Sequence, residues 1–191
     1  MRLGISLNLT KAERFHQKPS RTICSPAIRE SWVKIQSSWI FDCSPEDIFP
    51  HFFFARMDDS YPVAFRLGIP KPLSCKVLEG EPRVGNTRQC TTDRGYIQQE
   101  IVELIQDRKL VYEMRKTNVW CRNWVSFLQD TFLLEPIEGS KTRVRRVTEF
   151  RGVPSIPVLS TLALWFSLKQ AHRYAAKNWR RLSSDFRKES R

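Results

Sequence analysis

The stretch IPVLSTLALWFSLKQAHRYAAKNWRRLSSDFRK, residues 156–188, begins apolar and ends strongly basic. A segment of this kind is compatible with a membrane anchor, a nucleic-acid-binding arm or the long core helix of a globular domain. Its apolar residues recur every three or four positions, which is typical of one face of a helix. They are Leu164, Leu168, Ala171, Ala175, Trp179, Leu182 and Phe186. The spacing predicts an amphipathic helix of about 30 residues starting at Pro157, about 45 Å long.

The first half of this segment is a poor match to a membrane-spanning helix, which needs about 20 mostly apolar residues. The uncharged run that includes it, 152–168, is interrupted by Pro154 and Pro157 and is followed by Lys169. Contact of the helix with the surface of a lipid bilayer is the more credible membrane interpretation.

The net charge of +12 is concentrated at the two ends of the chain. Residues 1–31 and 169–191 carry most of the excess Lys and Arg, whereas the middle is nearly neutral. Basic ends attract phosphates and anionic lipid headgroups without specificity, and no zinc-finger, KH or RNP signature accompanies them. We therefore expect peripheral contact with anionic membrane surfaces and no specific nucleic-acid partner. Residues 1–30 are predicted to be a basic flexible segment ahead of a single domain, 31–188.

Seven segments between residues 32 and 150 have the composition of β-strands, and six of them follow one another with short turns. The predicted strands are 32–41, 75–81, 87–94, 96–105, 109–117, 124–137 and 142–150. After the first strand, Ser44 and Pro45 predict the start of a short helix, and residues 57–73 predict a long irregular loop. The expected fold class is α+β, with an antiparallel sheet of six to seven strands around the C-terminal helix.

This order of elements resembles the helix-grip fold of the SRPBCC superfamily, which includes START lipid-transfer domains and polyketide cyclase/dehydrase-like proteins. The resemblance covers roughly residues 32–186 and is carried by three stretches and by the gripping helix, LSTLALWFSLKQAHRYAAKNWRRL (159–182). The stretches are SSWIFDCSPEDIF (37–49), VGNTRQCTTDRGYIQQEIVEL (84–104) and WVSFLQDTFLLEPIEGSKTRV (124–144). Because the superfamily contains both carriers and cyclases, the resemblance predicts the fold and leaves the reaction open.

The resemblance implies a curved sheet that grips the last helix and encloses an apolar cavity. We therefore expect a soluble protein that binds or carries a hydrophobic ligand, which would be a lipid, polyketide, isoprenoid or aromatic compound. The predicted ligand-binding residues are Trp39, Phe41, Tyr112, Met114, Phe127, Leu162, Trp165 and Phe166. Tyr61, Phe65 and Leu67 are predicted to form a lid at the cavity mouth. Ordinary core packing is the alternative role for each of these side chains.

A cyclase or dehydratase that uses the same cavity without a metal is the alternative function. It would place polar groups in the cavity, where burial shifts their pKa values. The catalytic candidates are Glu100, Glu113 and His172, although strand glutamates more often pair with arginines outside and a lone histidine is more often structural. The polar strand residues that could face inward are Gln99, Glu100, Glu113, Gln129, Thr131, Thr148 and Glu149, because alternation alone does not choose the face. No triad elbow, phosphate loop or metal-ligand spacing is present, so neither a cofactor nor a metal is expected.

The five cysteines, Cys24, Cys43, Cys75, Cys90 and Cys121, are scattered and form no C-x-x-C pair. This pattern predicts reduced thiols, mostly core filler, in a reducing compartment. The N-terminus lacks the apolar core of a signal peptide. The expected location is the cytoplasm, with the stroma or matrix of an organelle as the alternative, because the first 30 residues weakly resemble a transit segment.

Overall fold

The computed structural model describes residues 32–120, 122–153 and 158–189. The predicted basic segment 1–30 lies outside the described residues, as do Cys24 and Cys121.

Eight strands and three helices make up the described chain. The strands are β1 (Trp32–Phe41), β2 (Ala55–Arg56), β3 (Pro72–Val77), β4 (Thr87–Thr92), β5 (Gly95–Ile105), β6 (Lys109–Thr117), β7 (Val125–Ile137) and β8 (Lys141–Gly152). The helices are α1 (Pro45–Ile48), α2 (Val63–Arg66) and α3 (Val158–Glu189), with short 3-10 turns at Phe49–Phe52 and Arg122–Trp124.

All eight strands belong to one antiparallel sheet in the order β1-β8-β7-β6-β5-β4-β3-β2. The sheet curls around α3, which confirms the predicted α+β helix-grip architecture. The prediction of six to seven strands missed β2, because two residues are too few to show any alternation. The 57–73 segment is also more ordered than the predicted loop, since it contains α2 and the start of β3.

Local sequence signals explain how the first elements form. The side chain of Ser44 caps α1 by accepting a hydrogen bond from the Asp47 amide, and the Ser44 amide donates in turn to the Asp47 carboxylate. Pro45 occupies the first helical turn. This is the predicted helix start, and it satisfies amides that would otherwise lack partners. In β1, Ile35 and Phe41 face the core whereas Lys34 and other residues of the opposite phase are exposed, so the predicted alternation is confirmed.

The core consists of three clusters between the sheet and α3. Representative members are Phe52, Phe132 and Trp179 in the first, Phe65, Cys75 and Tyr174 in the second, and Ile35, Phe150 and Leu164 in the third. The predicted apolar face of α3 joins them, because Leu164, Ala175 and Trp179 are all buried. The Trp179 ring packs against Phe52 and Phe132 at centroid distances of 4.8 and 5.8 Å. The side chain of Phe186 lies outside the described part.

Among the described residues, no helix is long and apolar enough to cross a membrane.

Cys75 and Cys90 form a disulfide, so the prediction that every cysteine is a reduced thiol is wrong for this pair. The cause is the antiparallel register, which places Cys75 of β3 directly opposite Cys90 of β4.

Candidate functional site

A cavity of about 180 Å³ lies between the sheet and α3, where the three core clusters meet. Most of its wall is aliphatic or sulfur-containing: Met57, Ile69, Ile97, Met114, Val119, Val125, Leu128, Leu164 and Leu168. One water molecule needs only about 10–15 Å³ of such space. The cavity is therefore large enough to receive part or all of a small organic molecule.

One side of the cavity wall is polar and is built from four sheet residues. Arg88, Gln99, Asp130 and Arg146 lie on β4, β5, β7 and β8, and all four line the cavity. Each lies in phase with the inward-facing positions of its strand, so the curvature of the sheet brings the four side chains together. We call this set the polar wall.

Asp130 and Arg146 form the ion pair of the polar wall. Arg146 donates from Nε to Oδ1 at 3.1 Å and from Nη2 to Oδ2 at 2.9 Å. Burial alone would raise the pKa of Asp130, but the Arg146 charge and its hydrogen bonds outweigh burial and hold that pKa below its usual value. Asp130 is therefore an ionised carboxylate whose charge is directed to Arg146.

A chain of hydrogen bonds behind the polar wall connects Asp130 to the last helix. Thr148 donates its hydroxyl proton to Asp130 and contacts Nε2 of His172 at 2.7 Å, while Nδ1 of His172 lies 3.0 Å from the Ser37 hydroxyl. Since the Thr148 proton is committed to Asp130, Nε2 of His172 must be the donor and Nδ1 the acceptor. Lys169 donates to the Ser37 hydroxyl at 3.3 Å, which leaves the Ser37 proton for His172.

His172 is completely buried and does not line the cavity. Burial, reinforced by the nearby charge of Arg146, lowers the pKa of His172 to about 3. The imidazole is thus neutral near neutral pH, and both of its nitrogens are engaged. Its geometry suits a residue that positions Thr148 and, through it, Asp130.

Arg88 is the second buried guanidinium of the polar wall and is only 7% exposed. Its Nη1 donates to Oε1 of Gln99 at 2.8 Å, and its guanidinium carbon lies 4.7 Å from the centroid of the Tyr112 ring. Its Nε finds no acceptor among the described residues. Burial lowers the pKa of Arg88, yet arginine remains protonated in proteins, so a positive charge persists here.

The structure distributes the eight predicted ligand-binding residues over several environments. Met114 lines the cavity. Trp39, Phe41 and Tyr112 belong to or pack against the first core cluster, and none of the three lines the cavity. The hydroxyl of Tyr112 donates to the carbonyl of Phe52 at 2.9 Å. These three aromatic side chains therefore contribute to core packing next to the cavity and do not form its wall.

The remaining four predicted ligand-binding residues lie away from the cavity. Phe127 packs edge-on against Trp32 with 5.1 Å between ring centroids, on the face of β7 opposite to Leu128. Leu162, Trp165 and Phe166 are 58%, 42% and 46% exposed. They occupy the outer side of α3, because the neighbouring face of Leu164, Leu168 and Ala171 is the one turned inward.

The three predicted lid residues also separate. Phe65 is buried against Tyr174, with 5.0 Å between ring centroids. Tyr61 hydrogen-bonds to Asp93 and is partly exposed, whereas Leu67 is 79% exposed. None of the three lines the cavity, but Met57, Ile69 and Pro70 from the same segment do. The segment therefore covers one end of the cavity through other side chains.

The three catalytic candidates are not brought together. Glu100 and Glu113 lie on the outer face of the sheet, where Arg115 binds both carboxylates. His172 lies on the opposite, inner side. The structure therefore separates the two glutamates from the cavity, as the outer-face alternative predicts. Within the part of the chain described, no group of three His, Cys, Asp or Glu side chains could hold a metal ion.

Sequence reasoning missed Arg88, Asp130 and Arg146 as site residues. Asp130 lies in phase with Leu128 and Phe132 on β7, and Arg146 in phase with Val144 and Phe150 on β8. Opposite charges in apolar phases of adjacent strands are the available signal, because both must then enter the core. Arg88 lies directly opposite Gln99 of β5, and only this register of β4 with β5 places it inside.

Solved structures share this architecture at low sequence identity. A START superfamily protein from Mycobacterium smegmatis matches with a TM-score of 0.57 and 10% identity over 80% of this chain and 98% of its own. Ara h 8.0201 matches at 0.58 and 13%, over 81% and 99% of the two chains. The chain has the helix-grip fold. A Chromobacterium violaceum protein shares this fold, with a TM-score of 0.52 and 18% identity over 78% of this chain and 96% of its own.

No family model matches the sequence, and no curated protein matches it. With identities between 10% and 18%, the structural neighbours establish the helix-grip fold alone. The chemistry of the site has to be argued from the side chains of this chain.

Proposed function

We propose that this helix-grip protein binds a hydrophobic small molecule in the cavity between the sheet and α3 and acts as its carrier. The observation that supports this function is the cavity of about 180 Å³ with its largely aliphatic wall. Ligand pockets in proteins typically combine an apolar lining with a few fixed polar groups, and the polar wall supplies such groups. A lipid, polyketide, isoprenoid or aromatic compound has the required apolar body.

The direct test is binding of N-phenyl-1-naphthylamine, a neutral dye that fluoresces in apolar surroundings. We expect saturable binding to the purified chain, and loss of that binding when Leu168, which lines the cavity from α3, is replaced in L168W. The larger indole would fill the space that the dye needs. A matched control is L162W, because Leu162 lies on the outer side of the same helix.

Three results of this experiment have distinct meanings. Dye binding that L168W abolishes and L162W leaves intact supports an internal ligand site. Equal binding to the unmodified chain and both variants places the dye on the surface and contradicts the proposal. Absence of any binding, together with absence of a co-purifying apolar molecule in native mass spectrometry, also contradicts it.

A cyclase or dehydratase acting in this cavity ranks second. Asp130 is the sole acidic residue among the described cavity-lining side chains, and its carboxylate is engaged by Arg146 and Thr148. A carboxylate with a lowered pKa is a weak general base, and neither His172 nor Thr148 lines the cavity. These contacts favour binding over proton transfer.

Peripheral contact with an anionic membrane is a further role, one that is compatible with a carrier and is favoured by a specific observation. Val158, Leu162, Trp165 and Phe166 are exposed on the outer side of α3, and Arg173 and Lys177 are exposed further along the helix. An exposed apolar patch next to basic residues is the pattern of helices that lie in the membrane interface. A carrier needs such contact to load from a bilayer.

Sedimentation with lipid vesicles tests the membrane role. We expect binding to vesicles of phosphatidylcholine with phosphatidylserine, weaker binding to phosphatidylcholine alone, and weakening by salt. The double variant L162S/F166S should bind less, whereas I105S, an exposed apolar residue at the end of β5, should behave like the unmodified chain. Binding that is indifferent to phosphatidylserine and to L162S/F166S would contradict this role.

We further propose the cytoplasm, or the stroma or matrix of an organelle, as the site of action. The Cys75–Cys90 disulfide is more typical of oxidising compartments, so it does not favour either of these two locations over the other. Imaging of a C-terminal fluorescent fusion, which keeps residues 1–30 at the N-terminus, decides between the cytoplasm and an organelle.

A further inference from the structure

The charges of the polar wall do not balance. Arg88 and Arg146 contribute two positive charges, and Asp130 contributes one negative charge. Arg146 is neutralised by two hydrogen bonds to Asp130. The guanidinium of Arg88 has no carboxylate within ion-pair distance among the described residues, and its closest acceptor is the neutral amide of Gln99.

Gln99 supplies Arg88 with a neutral acceptor and no charge. Its Oε1 accepts from Arg88 at 2.8 Å, while its Nε2 points to Oδ2 of Asp130 at 3.4 Å. The amide therefore links the two charged groups and keeps Asp130 directed towards Arg146. What Arg88 receives is one neutral hydrogen bond and the face of the Tyr112 ring.

A buried charge that lacks a counter-ion is costly, because the protein interior solvates it poorly. Nε of Arg88 also lacks an acceptor among the described residues. The residue is only 7% exposed, and it lines the cavity. The cavity wall thus carries a positive charge that has no carboxylate partner among the described residues, while the lining outside the polar wall is largely apolar. A ligand that brings an anionic group to the Arg88 guanidinium would supply the missing counter-ion.

We infer that the ligand is a hydrophobic carboxylic acid whose carboxylate pairs with Arg88 while its apolar body fills the rest of the cavity. This inference rests on the proposed function and names its ligand class. The planar guanidinium is suited to a carboxylate, since it can donate two parallel hydrogen bonds. Arg146 cannot take this role while Asp130 holds it.

The test compares two ligands that differ only in the head group. Decanoate and 1-decanol are titrated against the unmodified chain loaded with N-phenyl-1-naphthylamine, and displacement of the dye is measured. We expect decanoate to bind about 10- to 100-fold more tightly, which is the range for one charge-assisted buried contact. In R88M, which keeps the length of the side chain but removes the charge, the two ligands should bind equally.

The matched control is R122M. Arg122 also lines the cavity but is exposed, so its loss should leave the preference for decanoate unchanged. A preference that disappears in R122M and persists in R88M would place the carboxylate at the cavity margin and overturn the inference.

A second measurement keeps the inference testable if R88M does not fold. Decanoate labelled with ¹³C at the carboxyl carbon is titrated with acid while bound to the unmodified chain. Pairing with Arg88 predicts a bound carboxyl pKa below that of the free acid, because the guanidinium stabilises the anion. A pKa above that of the free acid would mean an unpaired carboxyl in an apolar site and would overturn the inference.

The outcomes separate the ligand class from the proposed function. If both ligands displace the dye equally from the unmodified chain, the cavity binds hydrophobic molecules but Arg88 does not select acids. If neither the dye nor the two ligands bind, the proposed function itself fails.

Discussion

The Asp130 carboxylate and the Arg146 guanidinium meet inside the domain through hydrogen bonds of 3.1 and 2.9 Å, with side chains that are 6% and 13% exposed. The strands that carry them are adjacent, but the two residues are not direct partners, since Asp130 lies opposite Thr148 and Arg146 opposite Phe132. The pair therefore bridges diagonally across the inner face of the sheet. It also fixes Thr148, which links the sheet to His172 on α3.

Neutralising Asp130 should destabilise the domain strongly. D130N keeps the shape of the side chain but leaves Arg146 buried without a counter-ion, so we expect the free energy of unfolding to fall by about 3–5 kcal/mol. Urea denaturation followed by circular dichroism measures the loss. The control is E135Q, because Glu135 pairs with Arg143 and Arg145 on the exposed face and exposed pairs contribute little. Equal stability of D130N and E135Q would show that the buried pair is not a stabilising element.

Much of the fold could be predicted because it depends on periodicity. The predicted bounds of β1 and β6 match the observed strands, and the three-four spacing defined the inner face of α3. The two-residue strand β2 was not predicted, because it is defined only by its pairing with β3 in the folded structure. The same holds for the Cys75–Cys90 bond, which needs the register of β3 with β4.

The cavity-lining residues were less predictable than the fold. Whether an inward-facing side chain lines a cavity depends on whether its neighbours fill the space beside it. Trp39 and Tyr112 are large inward-facing aromatics, yet they fill the core beside the cavity. Leu164 and Leu168 line the cavity, whereas Trp165 and Phe166, between them in sequence, are about half exposed. Aromatic content alone therefore pointed to the wrong side of α3.

The stability of the domain should fall in mild acid because of His172. Its pKa is lowered from 6.5 to about 3 in the folded state. Between these two pH values His172 is protonated in the unfolded chain but stays neutral in the folded chain. The stabilisation is complete above about pH 6.5 and is lost progressively as the pH falls towards 3. Between pH 8 and pH 4.5 we expect a loss of about 2–3 kcal/mol from this residue. The Asp130 pKa lies below its usual value of 3.8, so its contribution is lost only at lower pH.

The variant H172Q isolates this effect. Glutamine does not titrate, so the decline in the free energy of unfolding between pH 8 and pH 4.5 should be shallower than in the unmodified chain. The control is H51Q: the pKa of His51 is also lowered by burial, but this residue is half-buried and should account for less of the decline. An unchanged pH profile in H172Q would mean that His172 is not held neutral in the folded state.

Gly95 should not tolerate alanine. It begins β5 with φ of +142°, and a Cβ at this position would lie 2.2 Å from Oδ1 of Asn118. That oxygen accepts a hydrogen bond from the Tyr96 amide at 2.7 Å, so moving Asn118 aside would break this bond. We expect G95A to lower the free energy of unfolding by about 2–4 kcal/mol through backbone strain and the lost bond.

The matched control for G95A is G80A. Gly80 also has a positive φ, +59°, but a Cβ there would meet no atom within 4 Å. G80A should therefore lose only the backbone preference of glycine, about 1 kcal/mol. If thermal unfolding shows equal losses for the two variants, the contact with Asn118 is not what requires glycine at position 95.

Reduction of the Cys75–Cys90 disulfide should weaken the domain without unfolding it. The bond joins residues 15 apart in the sequence, and closing a loop of this size stabilises a fold by about 3 kcal/mol. Alkylation under denaturing conditions, followed by intact mass measurement, should show two additional labelled thiols only after reduction. The variant C75A/C90A should have a lowered midpoint of thermal unfolding, and reductant should no longer change that midpoint. The control C43A removes a buried thiol outside the disulfide, so reductant should still lower its midpoint. Full labelling of Cys75 and Cys90 without reductant would show instead that the pair is a dithiol, as the scattered cysteine pattern had predicted.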